Sequence, residues 1–386
     1  MNIYDQLQTA LQTEESVMLA TIVATSGSTP ASALSKMLVT RGGIASLGTV
    51  GGGCMEGDVL LHANRLYGSG KAEIVSFHLN EDDDEHGLVC GGSLDVLIEP
   101  IGKAQLSLIE KIRSFQNDGR DCIVATLLGR DGTILEKQFI DPTDLSTAAE
   151  LIPRISTTRL RPEGSINPSG VPVPYPESEF NDLIRSAFRG LATKRIALSD
   201  GELLLEPVPG RPELIIFGGG HVSKFVSRIG SMAGFRITII DDREKYANAE
   251  RFPEAERTLI LDFATAFTSI EVTSSTYLLV ITRGHEYDQI VLGNALKTPA
   301  KYIGMIGSKR KVLKAFEKLV EKGMSAEDLK RVHAPVGIEI GAVTAEEIAV
   351  SIVAQLVNIR RGGSDLLHYK SDTMKEFFWE KSPTIA

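Results

Sequence analysis

Cysteine is scarce in this sequence: three residues in 386, at positions 54, 90 and 122. So few thiols cannot build a disulfide framework, and the expected compartment is the reducing cytoplasm. No C-x-x-C and no H-E-x-x-H spacing occurs, so neither a structural zinc nor a zincin-type centre is predicted. Also missing is any apolar run near the roughly 18 residues of a membrane helix. Residues 1–13 have apolar positions at helical spacing and not the charged-then-apolar order of a leader peptide. There is no basic block, and the formal net charge is -9, so the long-range field opposes nucleic acid and anionic membrane surfaces. Neither an internal repeat nor a low-complexity segment is legible.

What is present starts with the surroundings of two cysteines. Gly51-Gly52-Gly53 runs into Cys54, and Cys90 runs into Gly91-Gly92. Glycine lets the backbone bend sharply and lets a ligand approach the main chain, and it removes the side chains against which a core thiol packs. Cys54 falls where a strand-like run, 44–50, meets a helical pattern over 56–67. A thiol at a helix start is biased toward thiolate. Cys122, inside an apolar strand, reads as core, and the acidic run 81–85 reads as a solvated loop.

At this length two domains are expected. The first half alternates a helix with short strands, 17–25, 36–40, 44–50, 72–78 and 93–99, and adds a hairpin of 121–128 with 133–139 across Gly129-Arg130-Asp131-Gly132. Residues 161–177 are proline-rich and irregular, and 196–206 reads as one further strand. The fold class is α/β: an N-terminal α+β domain with a mixed sheet over 1–206, a Rossmann-like doubly wound parallel sheet over 207–365, and a tail over 366–386.

The second half carries the stronger fold signal. Strand-like runs at 214–217, 236–240, 258–261, 277–281 and 302–306 alternate with helical patterns, as in a doubly wound parallel sheet. The first of them delivers Gly218-Gly219-Gly220-His221-Val222-Ser223, a turn into a helix start suited to a phosphate. Asp241 and Asp242 end the second strand where ribose-binding acids are expected. Arg283 and His285 follow the fourth strand, and Ser308 and Lys309 the fifth, at the rim where this fold builds its site.

Read together, Thr25-Ser26-Gly27-Ser28-Thr29-Pro30, Lys36-Met37-Leu38-Val39-Thr40, Gly51-Gly52-Gly53-Cys54-Met55-Glu56-Gly57, Cys90-Gly91-Gly92, Phe217-Gly218-Gly219-Gly220-His221-Val222, Asp241-Asp242-Arg243, Thr282-Arg283-Gly284-His285 and His333-Ala334-Pro335-Val336-Gly337 resemble the XdhC/CoxI family of molybdenum hydroxylase accessory proteins. The resemblance implies a chaperone that binds molybdenum cofactor (molybdopterin), supports its sulfuration and delivers it to a hydroxylase apoprotein of xanthine dehydrogenase type. A cysteine desulfurase is the implied sulfur donor, and a cytoplasmic homodimer is expected. Cys54 and Cys90 become the chemical residues, with Cys54 a molybdenum contact through the cofactor. Gly51, Gly52, Gly53, Gly218, Gly219, Gly220, His221, Asp241, Asp242, Arg283, Ser308 and Lys309 become cofactor-binding positions. Two other readings stand beside it: an NAD(P)-dependent oxidoreductase using the Gly218 turn, and an assembly factor without a ligand.

Overall fold

The computed structural model describes residues 2–29, 31–40, 46–78, 92–144, 177–198 and 200–363. Cys90, the acidic run at 81–85, the proline-rich stretch and the tail lie outside these residues. The chain divides into two compact units, Met1–Gln116 with Arg120–Gly210, and Asn117–Gly119 with Arg211–Ala386.

The first unit follows the order α1 (Ile3–Thr13), β1 (Ser16–Ser26), β2 (Lys36–Val39), β3 (Ser46–Gly48), α2 (Gly53–Leu66), β4 (Glu73–His78), β5 (Ser93–Gly102), α3 (Leu106–Asn117), β6 (Cys122–Gly129), β7 (Ile134–Ile140), α4 (Glu177–Gly190), β8 (Lys194–Ala197) and β9 (Gly201–Val208). Its α+β character is as expected, but the strands form two wholly antiparallel sheets and not one mixed sheet. The orders are β3-β2-β1-β5-β4 and β7-β6-β9-β8. The run expected as a single strand over 196–206 is a hairpin, because the turn before Gly201 folds it back on itself: Ile196 pairs with Leu203.

The two sheets repeat one another in order and in register, which the sequence does not advertise. Thr21 pairs with Lys36 across β1 and β2 as Thr126 pairs with Lys137 across β6 and β7. Leu19 pairs with Glu99 across β1 and β5 as Val124 pairs with Glu206 across β6 and β9. Each sheet is preceded by a helix, α1 or α3, and has a second helix, α2 or α4, inserted before its last hairpin. The first unit is therefore an internal duplication of a helix, two strands, a helix and two strands, with β3 added at the edge of the first copy.

Strand alternation explains the layering. Met18, Ala20 and Ile22 of β1 face Met55, Val59 and Ala63 of α2. Ile123, Ala125 and Leu127 of β6 face Phe180, Ile184 and Ala187 of α4. The opposite faces, with Leu19 and Val124, meet around Leu7, Leu11, Ile109 and Ile112 of α1 and α3. Each sheet is thus covered by its own outer helix, and the two share a middle layer.

The second unit is the doubly wound sheet that was expected. Strands β10 (Glu213–Phe217), β11 (Arg236–Asp241), β12 (Arg257–Ile260), β13 (Tyr277–Val280), β14 (Tyr302–Met305) and β15 (Val332–His333) are parallel in the order β12-β11-β10-β13-β14-β15. Helices α5 (His221–Met232), α6 (His285–Ala295), α7 (Lys309–Glu321), α8 (Ala326–Lys330) and α9 (Ala345–Arg360) complete it. Strands β10, β11, β13 and β14 are almost continuously buried, as sheets covered on both faces require. The strand order reverses beside β10, so the crevice at its carboxyl end is where a ligand belongs.

Candidate functional site

Cys54 is an exposed thiol in the first turn of α2. That helix begins three residues earlier than the periodicity suggests, so the cysteine stands inside the turn whose backbone N–H groups have no helical partner. Gly52 caps the helix in extended conformation without a side-chain hydrogen bond, leaving the helix start uncovered. Gly51 has φ +147, which disfavours any side chain there. A methyl group placed on Gly53 or Gly57 would meet nothing within 4 Å. Open space therefore lies along one side of this turn, next to the thiol.

The turn is braced from outside. Thr49 Oγ1 accepts from Gly51 N–H at 3.1 Å and lies 2.5 Å from Glu56 Oε1. This ties the Glu56 carboxylate back to the preceding loop. Met55, the neighbour of Cys54, is 1% exposed in the outer core. Packing of Met55, Val59 and Ala63 on the sheet fixes the helix rotation that turns Cys54 outward. Cys122, by contrast, is fully buried, and burial with the nearby Glu206, Asp121 and Asp141 carboxylates drives its thiol pKa well upward. It is a core residue.

In the second unit the glycine turn is held from several directions. Gly218 has φ +105, and a Cβ on it would lie 2.2 Å from Ile281 O; a Cβ on Gly219 would lie 1.9 Å from Tyr246 O. These two glycines are demanded by close backbone packing. Gly220 differs, with nothing within 4 Å of its would-be Cβ, and it begins α5 with no side-chain cap. Ser223, in the place of the usual third glycine, is buried and donates to Gly218 O at 2.5 Å.

Asp241 is 1% exposed and accepts from Gly219 N–H at 2.9 Å, with its other contacts to Arg243 N–H and guanidinium. Its role here is to brace the glycine turn. Burial alone would raise its pKa, but hydrogen bonds from Arg243 and from Gly219 N–H outweigh this and hold it below the ordinary carboxylate value. Asp242 is engaged by Arg283 in a two-pronged pair at 2.6 and 2.8 Å. Both acids expected to face ribose hydroxyls are thus occupied by protein groups in this structure.

Two groups at this rim carry no sequence signal. Arg251 donates to Gly219 O at 2.9 Å and to Gly220 O at 3.2 Å, pinning the turn from the loop after β11. Asp288, fully buried, accepts from Thr282 Oγ1 at 2.6 Å and pairs with Lys311. Lys311 follows Ser308, which caps α7 by accepting its N–H at 3.3 Å. Of the cations after β14, Lys311 is therefore the one turned inward, while Lys309 is exposed. His221 is the exposed first residue of α5, its ring edge-on to Phe225. No metal-sized grouping of three His, Cys, Asp or Glu side chains occurs among the described residues.

Comparison with known proteins bears on this arrangement. Residues 214–356 match the XdhC Rossmann domain, and residues 10–78 match the XdhC and CoxI family, together just over half of the chain. The chain belongs to the XdhC and CoxI family. Among its relatives, a Bacillus subtilis protein described as a probable xanthine dehydrogenase subunit is 22% identical over 93% of this chain and 98% of its own length. The uncharacterized protein YqeB of Escherichia coli is 32% identical over 39% of this chain, and the match spans 28% of YqeB. The molybdenum cofactor insertion chaperone PaoD of Escherichia coli is 29% identical over 30% of this chain, spanning 34% of PaoD. A crystal structure described as a xanthine dehydrogenase from Bacillus halodurans shares the fold, with a TM-score of 0.70 and 24% identity, over 95% of this chain and 97% of that one. The match over residues 10–78 contains the Cys54 turn, and the match over 214–356 contains the Gly218 turn.

Proposed function

We propose that this XdhC/CoxI protein is a maturation factor that binds the molybdenum cofactor, supports its sulfuration and delivers it to a molybdenum hydroxylase of xanthine dehydrogenase type. The observation that carries this reading is the Cys54 turn: an exposed thiol, an uncapped helix start and open space over Gly53 and Gly57. Those features fit the proposed ligand, since thiolate suits a soft metal and free backbone N–H groups suit an anion. Cys54 would hold the metal side, and the Gly51 to Gly53 backbone would take the anionic portion. When bound, the cofactor supplies the soft molybdenum centre and its sulfur-accepting position. The names of the Bacillus subtilis and PaoD relatives support the same assignment.

The residues of this chain have separable tasks in the proposal. Thr49 and Glu56 hold the turn, Met55 orients the helix, and Cys54 presents sulfur. Cys90 is assigned the second sulfur role, with a cysteine desulfurase as donor, in a cytoplasmic homodimer. The Gly218 turn, with Gly220 open and Arg283 and Lys309 at its rim, is assigned to a nucleotide or to the phosphate of the cofactor. NAD(P)-dependent oxidoreduction is the second reading, and the order of strands about β10 favours it. Against it stands the engagement of Asp241 and Asp242, which leaves neither of the two expected acids free for a ribose.

Purification of the full chain under anaerobic co-expression with a hydroxylase, followed by molybdopterin analysis, tests the first reading. Wild-type protein should retain cofactor and Cys54→Ser should lose most of it at unchanged circular dichroism. Equal retention by both removes Cys54 from the site. Saturable NAD(H) or NADP(H) binding with substrate turnover would favour the second reading, and absence of both ligands would leave an assembly factor.

A further inference from the structure

The internal duplication places two equivalent ion pairs between the sheets of the first unit, and they are not treated alike. Lys36 on β2 reaches Glu206 on β9 at 2.8 Å, and Lys137 on β7 reaches Glu99 on β5 at 2.6 Å. Each lysine also donates to the threonine paired with it in register, Thr21 at 2.8 Å and Thr126 at 2.9 Å. Both pairs border an internal cavity of about 20 Å³, room for one water molecule.

The difference lies in the acids. Glu99 is 1% exposed and uses both oxygens on Lys137, at 2.6 and 2.7 Å. Glu206 is 9% exposed and uses one oxygen, Oε1, on Lys36 and on the hydroxyl of Tyr4. Its Oε2 makes no hydrogen bond among the described residues. The Lys36–Glu206 pair also forms the floor of an open pocket of about 310 Å³, with Ile3, Leu34 and Val208 on its walls. Leu34 has φ 69, a left-handed conformation that costs a branched residue energy and concentrates at functional sites. One pair is sealed and self-satisfied, while its equivalent opens on a cavity with acceptor capacity to spare.

We propose that this pocket binds a small zwitterion of the free α-amino acid type. Glu206 Oε2 would accept from the ammonium group, and the remaining Lys36 proton would meet the carboxylate. The floor has no net charge, so a ligand carrying only one sign would leave one member of the pair opposed by a like charge or unmatched. The walls combine apolar Ile3, Leu34 and Val208 with polar Asn2, Gln6 and Gln116, which suits a short side chain. Tyr4 holds Glu206 in place and is kept protonated, burial being the main cause and the Glu206 charge the next.

Titration calorimetry of the full chain with each of the twenty standard amino acids tests this. At least one should bind with a dissociation constant below about 1 mM. Its amide and its N-acetyl derivative, each lacking one charge, should bind at least about tenfold more weakly. Glu206→Gln and the double variant Lys36→Met/Glu206→Leu, whose apolar pair suits a folded core, should lose binding by a similar factor. The double variant Glu99→Leu/Lys137→Met replaces the sealed equivalent by an apolar pair that suits a folded core, and it should keep affinity within about twofold because it touches no ligand. No binding by any amino acid, equal binding of the blocked forms, or equal loss in Glu99→Leu/Lys137→Met would overturn the proposal.

Discussion

At Gly219 a methyl group would lie 1.9 Å from Tyr246 O, whereas at the adjacent Gly220 it would meet nothing within 4 Å. The two substitutions should therefore part company. Gly219→Ala should destabilise the protein by about 2 kcal/mol or more, because the backbone it strikes cannot rotate away. Gly220→Ala should cost less than about 1 kcal/mol, and any effect on ligand binding would exceed its effect on folding. Urea melts followed by circular dichroism would separate them. The acid limb of stability belongs to the same loop. The Asp241 pKa is depressed in the folded state, so its contribution is present above the unfolded carboxylate value near about 3.9 and is lost as pH falls through the lower folded one. Asp241→Asn should flatten the pH dependence of stability below about pH 4, with the loss measured as a smaller change in urea midpoint between pH 5 and pH 3. The glycine run and its acidic partner were legible because local geometry dictates both. What they do was not: Asp241 faces its own turn, and Arg251 joins it from another loop, a contact that no spacing rule encodes.

Among the elements, the charged contacts between sheets allow a sharper test than the apolar core. Removing one partner leaves a buried charge without its counterpart, at a cost of about 3–5 kcal/mol, while replacing both with apolar groups of similar volume costs far less. Glu99→Gln should thus be more damaging than Glu99→Leu with Lys137→Met, and urea denaturation of the full chain would show a higher midpoint for the double variant. Reading these elements from sequence succeeded where a turn interrupts alternation, as at Gly129-Arg130-Asp131-Gly132 between β6 and β7. It failed at residues 196–206, although Ser199-Asp200-Gly201-Glu202 breaks the apolar run there with an Asp-Gly turn signal. The helix carrying Cys54 was found by periodicity, but its start was missed because glycine and cysteine carry no strong helical signal. The duplication stayed hidden for another reason. Its two copies agree in register and in a few residues, Ala-Thr on the central strands and Glu-Pro on the neighbours, while Lys137 and Lys36 sit at different distances from them along the chain.

For the whole molecule, the parallel unit was the part best written in the sequence, since alternating apolar runs and helical patterns leave few topologies open. The first unit was less so, because antiparallel strands can be joined in many orders. Within it, the site features fall unevenly on the two copies. The Cys54 turn opens α2 and Gly92 precedes β5, both in the first copy. In the second copy β8 passes to β9 through a short turn, where the first copy has the long connection that holds Cys90. The paired contacts have one more consequence. In an isologous dimer, residue i of one protomer meets residue j of the other, and j meets i in return. Lys36 with Glu206, and Lys137 with Glu99, satisfy that relation inside a single polypeptide. The first unit is thus a covalently linked pseudo-dimer, in which one half can keep the shape while the other is free to acquire chemistry.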